Sequence, residues 1–411
     1  MNILLVTQFY TPEHNAGAFR ATDHAREWAD RGHKVTVLTG WPHYPKGELF
    51  AGYSMTSLAE EFIDGVRVVR SRVVARPLTS SIRRIQNGVG FFTFGVANVL
   101  LRKKQIGDSF DVVVASSGTV FTGWLGWACA KAFRAPLVTE YRDLAFEQMV
   151  ATGSRPNGLG VRLMRFCEVT LAKKSKRVVV LTNGFRSILA REGVDSSVMA
   201  VVPNGADPRP RKGHPAKEGL VFGYFGTMGI SQDVPGTLGL AAVASEASGQ
   251  DLRYILIGDG AARDTVNALL SSGSYSFAEL MDGMPQEELE PYYGLCHMTV
   301  VSLRKSPRFE ATIPSKIFQS FARGVPVLFS GPEGEAARII KEAGAGLVLT
   351  GTREEDEELL RHFFSSGTWR DDIESMGIRA LNVLKQSYSR STLAGRMLEV
   401  VVDATEEGAT R

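Results

Sequence analysis

The residues best suited to hold an anion lie in 311–340, around the sequence IPSKIF. Apolar residues at helical spacing in SKIFQSFARG predict a helix that starts near Ser315 and Lys316 and stops before Gly324. A cation at a helix start opposes the helix dipole unless an anion binds there. VPVLFS then predicts a buried strand, and GPEGEAARII a glycine loop and a second helix. Ligands of open α/β sheets lie at such strand and helix ends, so Lys316 is a candidate anion ligand.

Two other loops place glycine between a strand and a helix, where backbone N–H groups can approach a phosphate. The apolar run LVFGYF is followed by Gly226, Thr227, Met228 and Gly229, and the first strand is followed by the loop HNAGAF with Gly17. Gly17 alone is equally compatible with a tight turn. A full GxGxxG is missing here, so a dinucleotide site is not supported.

These residues belong to a chain in which strand, loop and helix alternate in both halves, a pattern that predicts parallel sheets. A length of 411 residues is enough for two domains of ordinary size. We therefore predict an α/β fold with two Rossmann-like domains, 1–200 and 201–385, followed by a C-terminal helix in 386–411. The segment RPRKGHPAKEG is rich in Pro, Gly and charge and is the expected connection between the domains.

The composition is typical of a globular protein, with 44% hydrophobic and 22% charged residues. Cys129, Cys167 and Cys296 are far apart and form no CxxC pair, which favours a reducing compartment without a disulfide framework. The N-terminal stretch MNILLVTQFY has no basic flank or cleavage site, so we expect a first strand and not a signal peptide.

Charge is distributed unevenly along the chain. Residues 1–200 hold 26 Lys+Arg and 16 Asp+Glu, a balance of +10, whereas residues 201–411 hold 21 and 28, a balance of −7. A basic N-terminal half indicates either an anionic partner or a solvated surface without a role. The anionic partners to consider are a membrane surface, a lipid-linked phosphate and a nucleic acid.

One basic and apolar segment, 83–104, favours the membrane among these partners. Its apolar run 89–101 is shorter than the roughly 20 residues that a helix needs to span a bilayer. Arg83 and Arg84 flank it on one side, and Arg102, Lys103 and Lys104 on the other. Such a segment is either a core helix or a helix that lies at an anionic membrane interface.

The motifs PSKIF, RGVPVL and PEGEAARII resemble the donor-binding segment of GT-B glycosyltransferases of family 4. They are most similar to the branch that builds bacterial surface polysaccharides and includes the N-acetyl-fucosaminyl transferases. MAVVPNGAD and the strand end EYRDL resemble other segments of that branch. The resemblance implies a GT-B fold whose last helix crosses back to the first domain, and a nucleotide diphosphate sugar as donor. It also implies retention of configuration through same-face attack, without a protein nucleophile.

The resemblance assigns the donor diphosphate to the backbone at Gly226 and Gly229, to Lys316 and to loop amides near Gly334 and Glu335. The family's Arg and Lys after the first glycine loop are missing, and Thr227 and Gln232 stand there instead. Loss of a point charge at a diphosphate would cost a few kcal/mol if it were not replaced. The expected replacements are Lys316 together with Arg304 and Lys305, whose alternative is a solvated loop.

Family members carry two glutamates eight residues apart, and here that pair is broken. Gln319 takes the second place, where an amide can still bind a ribose diol. Ala311 takes the first place, with Glu310 one residue away. The nucleobase is expected against the turn 283–285, which contains Met284; the alternative is an ordinary turn.

On the acceptor side the candidate is Asp143, at the end of the strand APLVTEY, near the transferred sugar or the acceptor hydroxyl. Its alternative role is a helix cap or a structural ion pair with Arg142. Because no DxD-like acidic pair follows a strand, neither a metal nor another cofactor is expected.

The sequence thus predicts a glycosyltransferase that moves a sugar of the hexosyl or N-acetylhexosaminyl type to a polysaccharide or lipid-linked glycan precursor. We expect it in the cytoplasm, either free or peripheral on the inner face of the cell membrane, with no nucleic-acid partner. Two alternatives stay open: a non-hydrolysing nucleotide-sugar epimerase, and a non-catalytic sugar-nucleotide-binding partner. The missing dinucleotide fingerprint disfavours a dehydrogenase.

Overall fold

A computed structural model describes residues 1–77, 81–151, 153–215 and 217–406. The chain divides into two compact units, the first comprising Met1–Pro203 and the chain from Arg390 onward, the second Asn204–Ser389. The last five residues of the predicted C-terminal segment, 407–411, lie outside the described residues.

The first unit is built on a sheet that, in the described residues, has eight strands in the order β3-β4-β2-β1-β5-β6-β7-β8. All neighbours pair in parallel except β3 and β4, which are antiparallel. The central strands are buried on both faces, which is why they appear in the sequence as unbroken apolar runs. The strands are β1 Asn2–Thr7, β2 Lys34–Gly40, β3 Leu58–Ile63, β4 Val66–Ser71, β5 Val112–Ser117, β6 Leu137–Tyr141, β7 Arg177–Val180 and β8 Met199–Val201.

Helices of the first unit cover both faces of this sheet. Phe91, Leu125 and Leu171, from three different helices, share one core cluster on one face. The helices are α1 Ala16–Asp30, α2 Ser81–Leu101, α3 Lys103–Ile106, α4 Val120–Phe133, α5 Ala145–Ala151, α6 Leu159–Lys174 and α7 Asn183–Arg191. The helix α4 packs against both α2 and α6, so these three helices form one layer.

The second unit contains, in the described residues, a parallel sheet of six strands in the order β11-β10-β9-β12-β13-β14. Its strands are β9 Leu220–Phe225, β10 Leu252–Ile257, β11 Ala278–Met281, β12 Met298–Ser302, β13 Val327–Ser330 and β14 Gly346–Leu349. Its helices are α8 Val234–Ser248, α9 Arg263–Ser271, α10 Glu290–Leu295, α11 Ser315–Phe321, α12 Glu335–Ala343, α13 Arg353–Phe364 and α14 Trp369–Val383. The α/β fold class with two largely parallel sheets is confirmed.

After α14 and the π-helical turn Leu384–Tyr388, the chain returns to the first unit as α15, Arg390–Glu406. This helix packs against α1, where the Trp28 indole N–H donates to the Ala394 carbonyl at 3.0 Å. Met397 and Val401 of α15 are fully buried in the same cluster as Trp28.

Several element boundaries differ from the sequence-based expectation. The helix α11 begins at Ser315, as predicted, but Pro314 takes the N-cap position and gives no side-chain hydrogen bond there. The helix predicted within GPEGEAARII begins only at Glu335, after the glycine loop, and the loop residue Glu333 pairs with Lys341 at 2.6 Å. The antiparallel edge strand β3 was not predicted.

Within the described ranges, no helix is long and apolar enough to cross a membrane. The predicted apolar segment forms α2, whose residues divide between the core and the surface. Phe91 and Val99 are buried, whereas Ile82, Leu100 and Leu101 are 69%, 75% and 83% exposed. The buried residues agree with the core-helix interpretation, and the membrane-interface interpretation stays a prediction.

Candidate functional site

In the second unit, Lys316 lies against the glycine loop that follows β9. Its Nζ donates to the Thr227 carbonyl at 3.0 Å and sits 3.6 Å from the centre of the Tyr224 ring. A Cβ on Gly226 would lie 3.1 Å from Lys316 Cε, and the positive φ of 114° also favours glycine there. Burial lowers the pKa of the Lys316 ammonium to about 7. Among the described residues no carboxylate forms an ion pair with Lys316.

The amides of this loop are largely committed within the protein. Gly226 N–H donates to the Ile257 carbonyl and Met228 N–H to the Asp259 carbonyl, each at 2.8 Å. Gly229 N–H donates to Oε1 of Gln232 at 2.9 Å. The loop therefore mainly positions Lys316. The Gly226 and Gly229 amides were expected to bind phosphate, but both already donate to acceptors within the protein.

A second set of predicted residues meets at the start of α12. The Glu310 carbonyl accepts from Glu335 N–H at 2.8 Å, and Gly334 lies directly against the Glu310 backbone. A Cβ on Gly334 would lie only 2.3 Å from the Glu310 oxygen, so this contact requires glycine. The Glu310 side chain is exposed, one residue away from the place where the family has a glutamate.

Gln319 and the turn that contains Met284 also lie together. The side-chain amide of Gln286, two residues after Met284, donates to Oε1 of Gln319. Arg323 also donates to that oxygen at 3.3 Å. Met284 is partly buried against the cluster that contains Phe225. The contact joins two segments that the resemblance assigned to the ribose and to the nucleobase.

Arg304 and Lys305 have different surroundings. Arg304 N–H donates to the Ser231 carbonyl at 2.9 Å, which holds its loop beside the one containing Gly229. The Lys305 ammonium instead pairs with Asp356, and it also donates to the Gly351 carbonyl. The structure thus gives Lys305 a partner of opposite charge, whereas Lys316 has none within the described residues.

In the first unit, Arg142 follows β6 and lies between two glycines. A Cβ on Gly17, at the start of α1, would lie 1.9 Å from one guanidinium nitrogen, and a Cβ on Gly118, before α4, would lie 1.9 Å from the other. Gly17 therefore has a structural reason to be glycine, namely the close approach of this guanidinium. From the sequence, Arg142 was considered only as a possible partner of Asp143. The strand end EYRDL, which contains both residues, was the signal that could have identified Arg142 as a site residue.

Two neighbouring carboxylates are arranged differently from that expectation. Glu140 pairs with Arg20 at 2.8 Å and accepts from the Ser116 hydroxyl at 2.6 Å. Burial alone would raise the pKa of Glu140, but these partners hold it at about 2. Asp143, in contrast, forms no ion pair with Arg142 in the described residues, and burial raises the pKa of its carboxyl.

A buried polar network that the sequence did not reveal supports the same edge of the first sheet. Glu13 accepts backbone N–H groups from His43 and Tyr44 at 3.0 and 2.9 Å, which ties the loop after β2 to the loop after β1. Burial raises the pKa of Glu13 to about 7. The Nδ1–H of His43 donates to the Trp41 carbonyl at 2.7 Å, and its Nε2 accepts from Asn87 at 2.6 Å.

A metal site is not visible in the described part of the chain, where no three His, Cys, Asp or Glu side chains are grouped to hold an ion. Each unit instead presents a cation without a carboxylate partner at the carboxyl edge of a parallel sheet. In open α/β folds ligands bind at that edge, so both positions suit anionic groups.

Comparison with solved structures defines the class of fold. The chain is similar to sucrose-phosphate synthase from Thermosynechococcus elongatus, with 14% identity, a TM-score of 0.66 and 98% of each chain covered. It is similar to Anabaena Alr3699/HepE in complex with UDP and glucose, with 15% identity, a TM-score of 0.62, and 98% and 99% of the two chains covered. It is also similar to WaaG, a glycosyltransferase involved in lipopolysaccharide biosynthesis, with 15% identity, a TM-score of 0.62, and 97% and 99% covered. The chain has the GT-B fold of these proteins.

Comparison with protein-family models adds a match to part of the sequence. Residues 16–205, almost all of them in the first unit, match the family model described as a glycosyl transferase 4-like domain. No curated protein matches the chain.

Proposed function

We propose that this protein is a retaining glycosyltransferase that moves a sugar from a nucleotide diphosphate sugar to a lipid-linked or polysaccharide precursor. The observation that carries the proposal is Lys316, a cation without a carboxylate partner in the described residues, seated on the loop after β9. A half-buried ammonium with a lowered pKa is poorly stabilised by the protein alone, and a diphosphate would supply the missing negative charge.

The donor-side roles follow from this position. Lys316 binds the diphosphate, with Arg304 and the loop 226–229 beside it. Gln319 and the turn with Met284 contact the nucleoside, because their segments are joined by the bond from Gln286. Glu310, next to Gly334 and Glu335, is the proposed contact to the transferred sugar.

The reaction needs one bond to form and one to break. The acceptor hydroxyl oxygen bonds to the anomeric carbon, while the bond from that carbon to the diphosphate oxygen breaks. The hydroxyl proton passes to the departing diphosphate on the same face, so no protein nucleophile takes part. Lys316 stabilises the charge that develops on the leaving group. Asp143 is the proposed polar contact of the acceptor.

The nucleotide has precedents among similar folds. Alr3699/HepE has been crystallised with UDP-glucose, and starch synthase IV from Arabidopsis thaliana with ADP and acarbose. A thermal-shift screen with UDP, ADP, GDP and dTDP is the direct test, since a ligand bound only by the native state raises the melting temperature. If none of them shifts the wild-type protein, the proposed donor class is wrong.

Turnover separates the three remaining possibilities. A glycosyltransferase forms a glycosylated acceptor and free nucleoside diphosphate, and its product needs the acceptor. An epimerase converts the nucleotide sugar without any acceptor. A non-catalytic binding partner shows a thermal shift with the donor but no product with any acceptor offered. Mass spectrometry of nucleotide sugars and acceptors in one reaction distinguishes these outcomes.

A lipid-linked acceptor is supported by the surface of the first unit. The layer of α2, α4 and α6 exposes large apolar side chains: Ile82, Leu100 and Leu101 on α2, and Leu159, Leu163 and Phe166 on α6. The basic residue Lys104 is exposed beside the end of α2. Exposed apolar residues with basic neighbours suit an anionic membrane surface. We therefore propose a cytoplasmic protein that is peripheral on the inner face of the cell membrane.

Co-sedimentation with anionic liposomes at low salt tests this membrane contact. Serine at Leu100, Leu101 and Lys104 is expected to reduce the pelleted fraction several-fold, because both apolar area and charge are removed. Lys103 is left intact, since its ammonium donates to the Ala132 carbonyl within the fold. The matched control is Ile378→Ser, a 58% exposed apolar residue of the second unit. Equal pelleting of wild type and the triple variant contradicts the membrane contact.

A further inference from the structure

The Arg142 guanidinium, between Gly17 and Gly118, is held in place by backbone geometry and not by a carboxylate. Both glycine positions approach a guanidinium nitrogen so closely that any side chain would displace it. The fold thus keeps space for this cation on two sides. An arginine that served only to pair with a carboxylate would not need both glycines.

No described carboxylate forms an ion pair with Arg142, and the charges of Glu140 and Asp143 act on it only without direct contact. Glu140, the nearest carboxylate along the strand, is already bound by Arg20 and Ser116. No hydrogen bond or ion pair joins Arg142 to Asp143 in the described part of the chain. Leaving a buried charge unpaired is costly, so such a group persists where something else neutralises it.

Two buried donors near this point also lack acceptors. Nε of Arg142 and Nδ2 of Asn15 are both inaccessible to solvent, and within the described residues neither has a hydrogen-bond partner. Asn15 is the N-cap of α1 and lies two residues before Gly17, while its Oδ1 accepts from Ala18 N–H at 2.9 Å. Unsatisfied buried donors are rare in native proteins, and these two belong to segments that meet where Arg142 contacts Gly17, two residues after Asn15.

The surrounding backbone adds positive potential. The helices α1 and α4 both begin here, and α4 has no side-chain cap at Thr119. The first amides of a helix carry partial positive charge, which strengthens the field that Arg142 creates. A bidentate guanidinium, an amide N–H₂ and helix amides together offer more donors than one carboxylate can use, and they match the several oxygens of a phosphate.

We propose that Arg142 and Asn15 form a phosphate subsite for the acceptor, so that the acceptor is a phosphorylated molecule such as a lipid phosphate or diphosphate. The identification of the bound molecule as the acceptor rests on the proposed function, but the anion site itself does not. The subsite belongs to the first unit, whereas Lys316, which we assign to the donor, belongs to the second unit.

The first test uses inorganic pyrophosphate as the probe and isothermal titration calorimetry on the full chain. Wild type is expected to show two binding sites. Arg142→Gln loses one of them, with at least a tenfold drop in that affinity, and Lys316→Ala loses the other. Arg142→Lys, which keeps the charge but not the guanidinium fork, gives an intermediate affinity. Unchanged binding by Arg142→Gln, or loss of the same single site in both variants, overturns the proposal.

A second readout separates ligand binding from a structural role. Without added anion, Arg142→Gln should melt at the same temperature as wild type or higher, because an unneutralised charge has been removed. Pyrophosphate should then stabilise the Lys316→Ala protein but not the Arg142→Gln, Lys316→Ala double variant. If Arg142→Gln alone melts markedly lower, Arg142 is part of the structural framework and the subsite assignment is wrong.

Failure of the proposed function would give a different result from failure of the anion site. If no nucleoside diphosphate binds while the pyrophosphate site at Arg142 persists, the donor assignment falls and the anion site stands. With an active donor and acceptor pair, Arg142→Gln should raise KM for a phosphorylated acceptor and leave KM for the donor unchanged. An equal rise in both KM values contradicts an acceptor role. Dephosphorylated acceptor should show no difference between Arg142→Gln and wild type.

Discussion

In the described residues, each of the two units contains one cation that is paired with a buried carboxylate and one cation that is not. In the first unit Arg20 is bound to Glu140, and Arg142 has no carboxylate partner in the described residues. In the second unit Arg323 donates twice to Glu290, at 2.8 and 2.6 Å, and Lys316 stands without such a partner. The paired arginines hold segments of the fold together, whereas the unpaired cations are available to a ligand.

The two unpaired cations differ in chemistry. Arg142 is charged at every accessible pH and is held between Gly17 and Gly118. Lys316 lies over the Tyr224 ring, and burial brings its pKa to about 7. Anion binding in the first unit should therefore be insensitive to pH near neutrality, while binding in the second unit should depend on protonation of a lysine.

The largest expected effect comes from breaking a paired cation. Glu140→Gln removes the carboxylate that neutralises the buried Arg20 guanidinium, which also donates to the Val202 and Pro203 carbonyls at 2.9 and 2.8 Å. Removing one partner of a buried pair typically costs about 3–5 kcal/mol, which should appear in the urea transition of the full chain. The matched control is Glu60→Gln, which breaks the surface ion pair with Arg67. This change should cost about 1 kcal/mol or less of the free energy of unfolding. Equal losses in the two variants would show that Glu140 is not specially important.

The same pair gives a pH dependence with a defined sign. The folded-state pKa of Glu140 is about 2, below the ordinary value of 4.5, so its contribution to stability is present above pH 4.5. That contribution is lost as the pH falls through 2. The Glu140→Gln variant should therefore approach wild type in stability as the solution is acidified, which urea titrations at several pH values can measure.

Removal of an unpaired cation should act on binding and not on stability. Lys316→Ala is expected to weaken binding of the nucleoside diphosphate found in the thermal-shift screen. The expected loss of binding free energy is about 1–3 kcal/mol, the range of a hydrogen bond to a charged group. Its melting temperature without ligand should stay near that of wild type. The control is Lys305→Ala, because the Lys305 ammonium is already engaged with Asp356. An unchanged calorimetric affinity in Lys316→Ala removes this lysine from the donor site.

Much of the fold could be predicted from the sequence. The parallel strands of both sheets were predicted because strands buried on both faces are continuous apolar runs, such as Leu220–Phe225. The edge strand Leu58–Ile63 alternates polar and partly buried residues, and its pairing depends on the neighbouring strand β4. Such a segment has little signal of its own, so it was missed.

The candidate sites were predictable only where the signal is local. Lys316 stands at a helix start that the sequence displays, so its position was found. The partner of Lys305 is Asp356, 51 residues later, and the space for Arg142 is formed by Gly17 and Gly118, which are far away in the chain. Contacts of this kind follow from the assembled sheet, and no spacing rule in a single sequence reveals them.

A smaller effect should appear in the pH dependence of donor binding. Below pH 7 the free Lys316 is protonated, but above it a proton must be taken up before the diphosphate is bound. The affinity should therefore fall by up to about tenfold per pH unit between pH 7 and 9. Calorimetry at pH 8 in buffers with different ionisation enthalpies should report uptake of close to one proton. Zero uptake would mean that the ammonium is already charged in the free protein.

The smallest change at neutral pH, and the sharpest comparison of the two cations, comes from Lys316→Arg. Arginine keeps its charge and can stack on the Tyr224 ring, so the affinity at pH 7 should stay within a few-fold of wild type. The dependence on pH between 7 and 9 should disappear, because the new guanidinium does not titrate there. Lys316→Arg would then give the second unit the pH-independent binding that Arg142 gives the first. If the pH dependence survives in Lys316→Arg, the titrating group lies elsewhere and the contrast between the two units is not one between lysine and arginine.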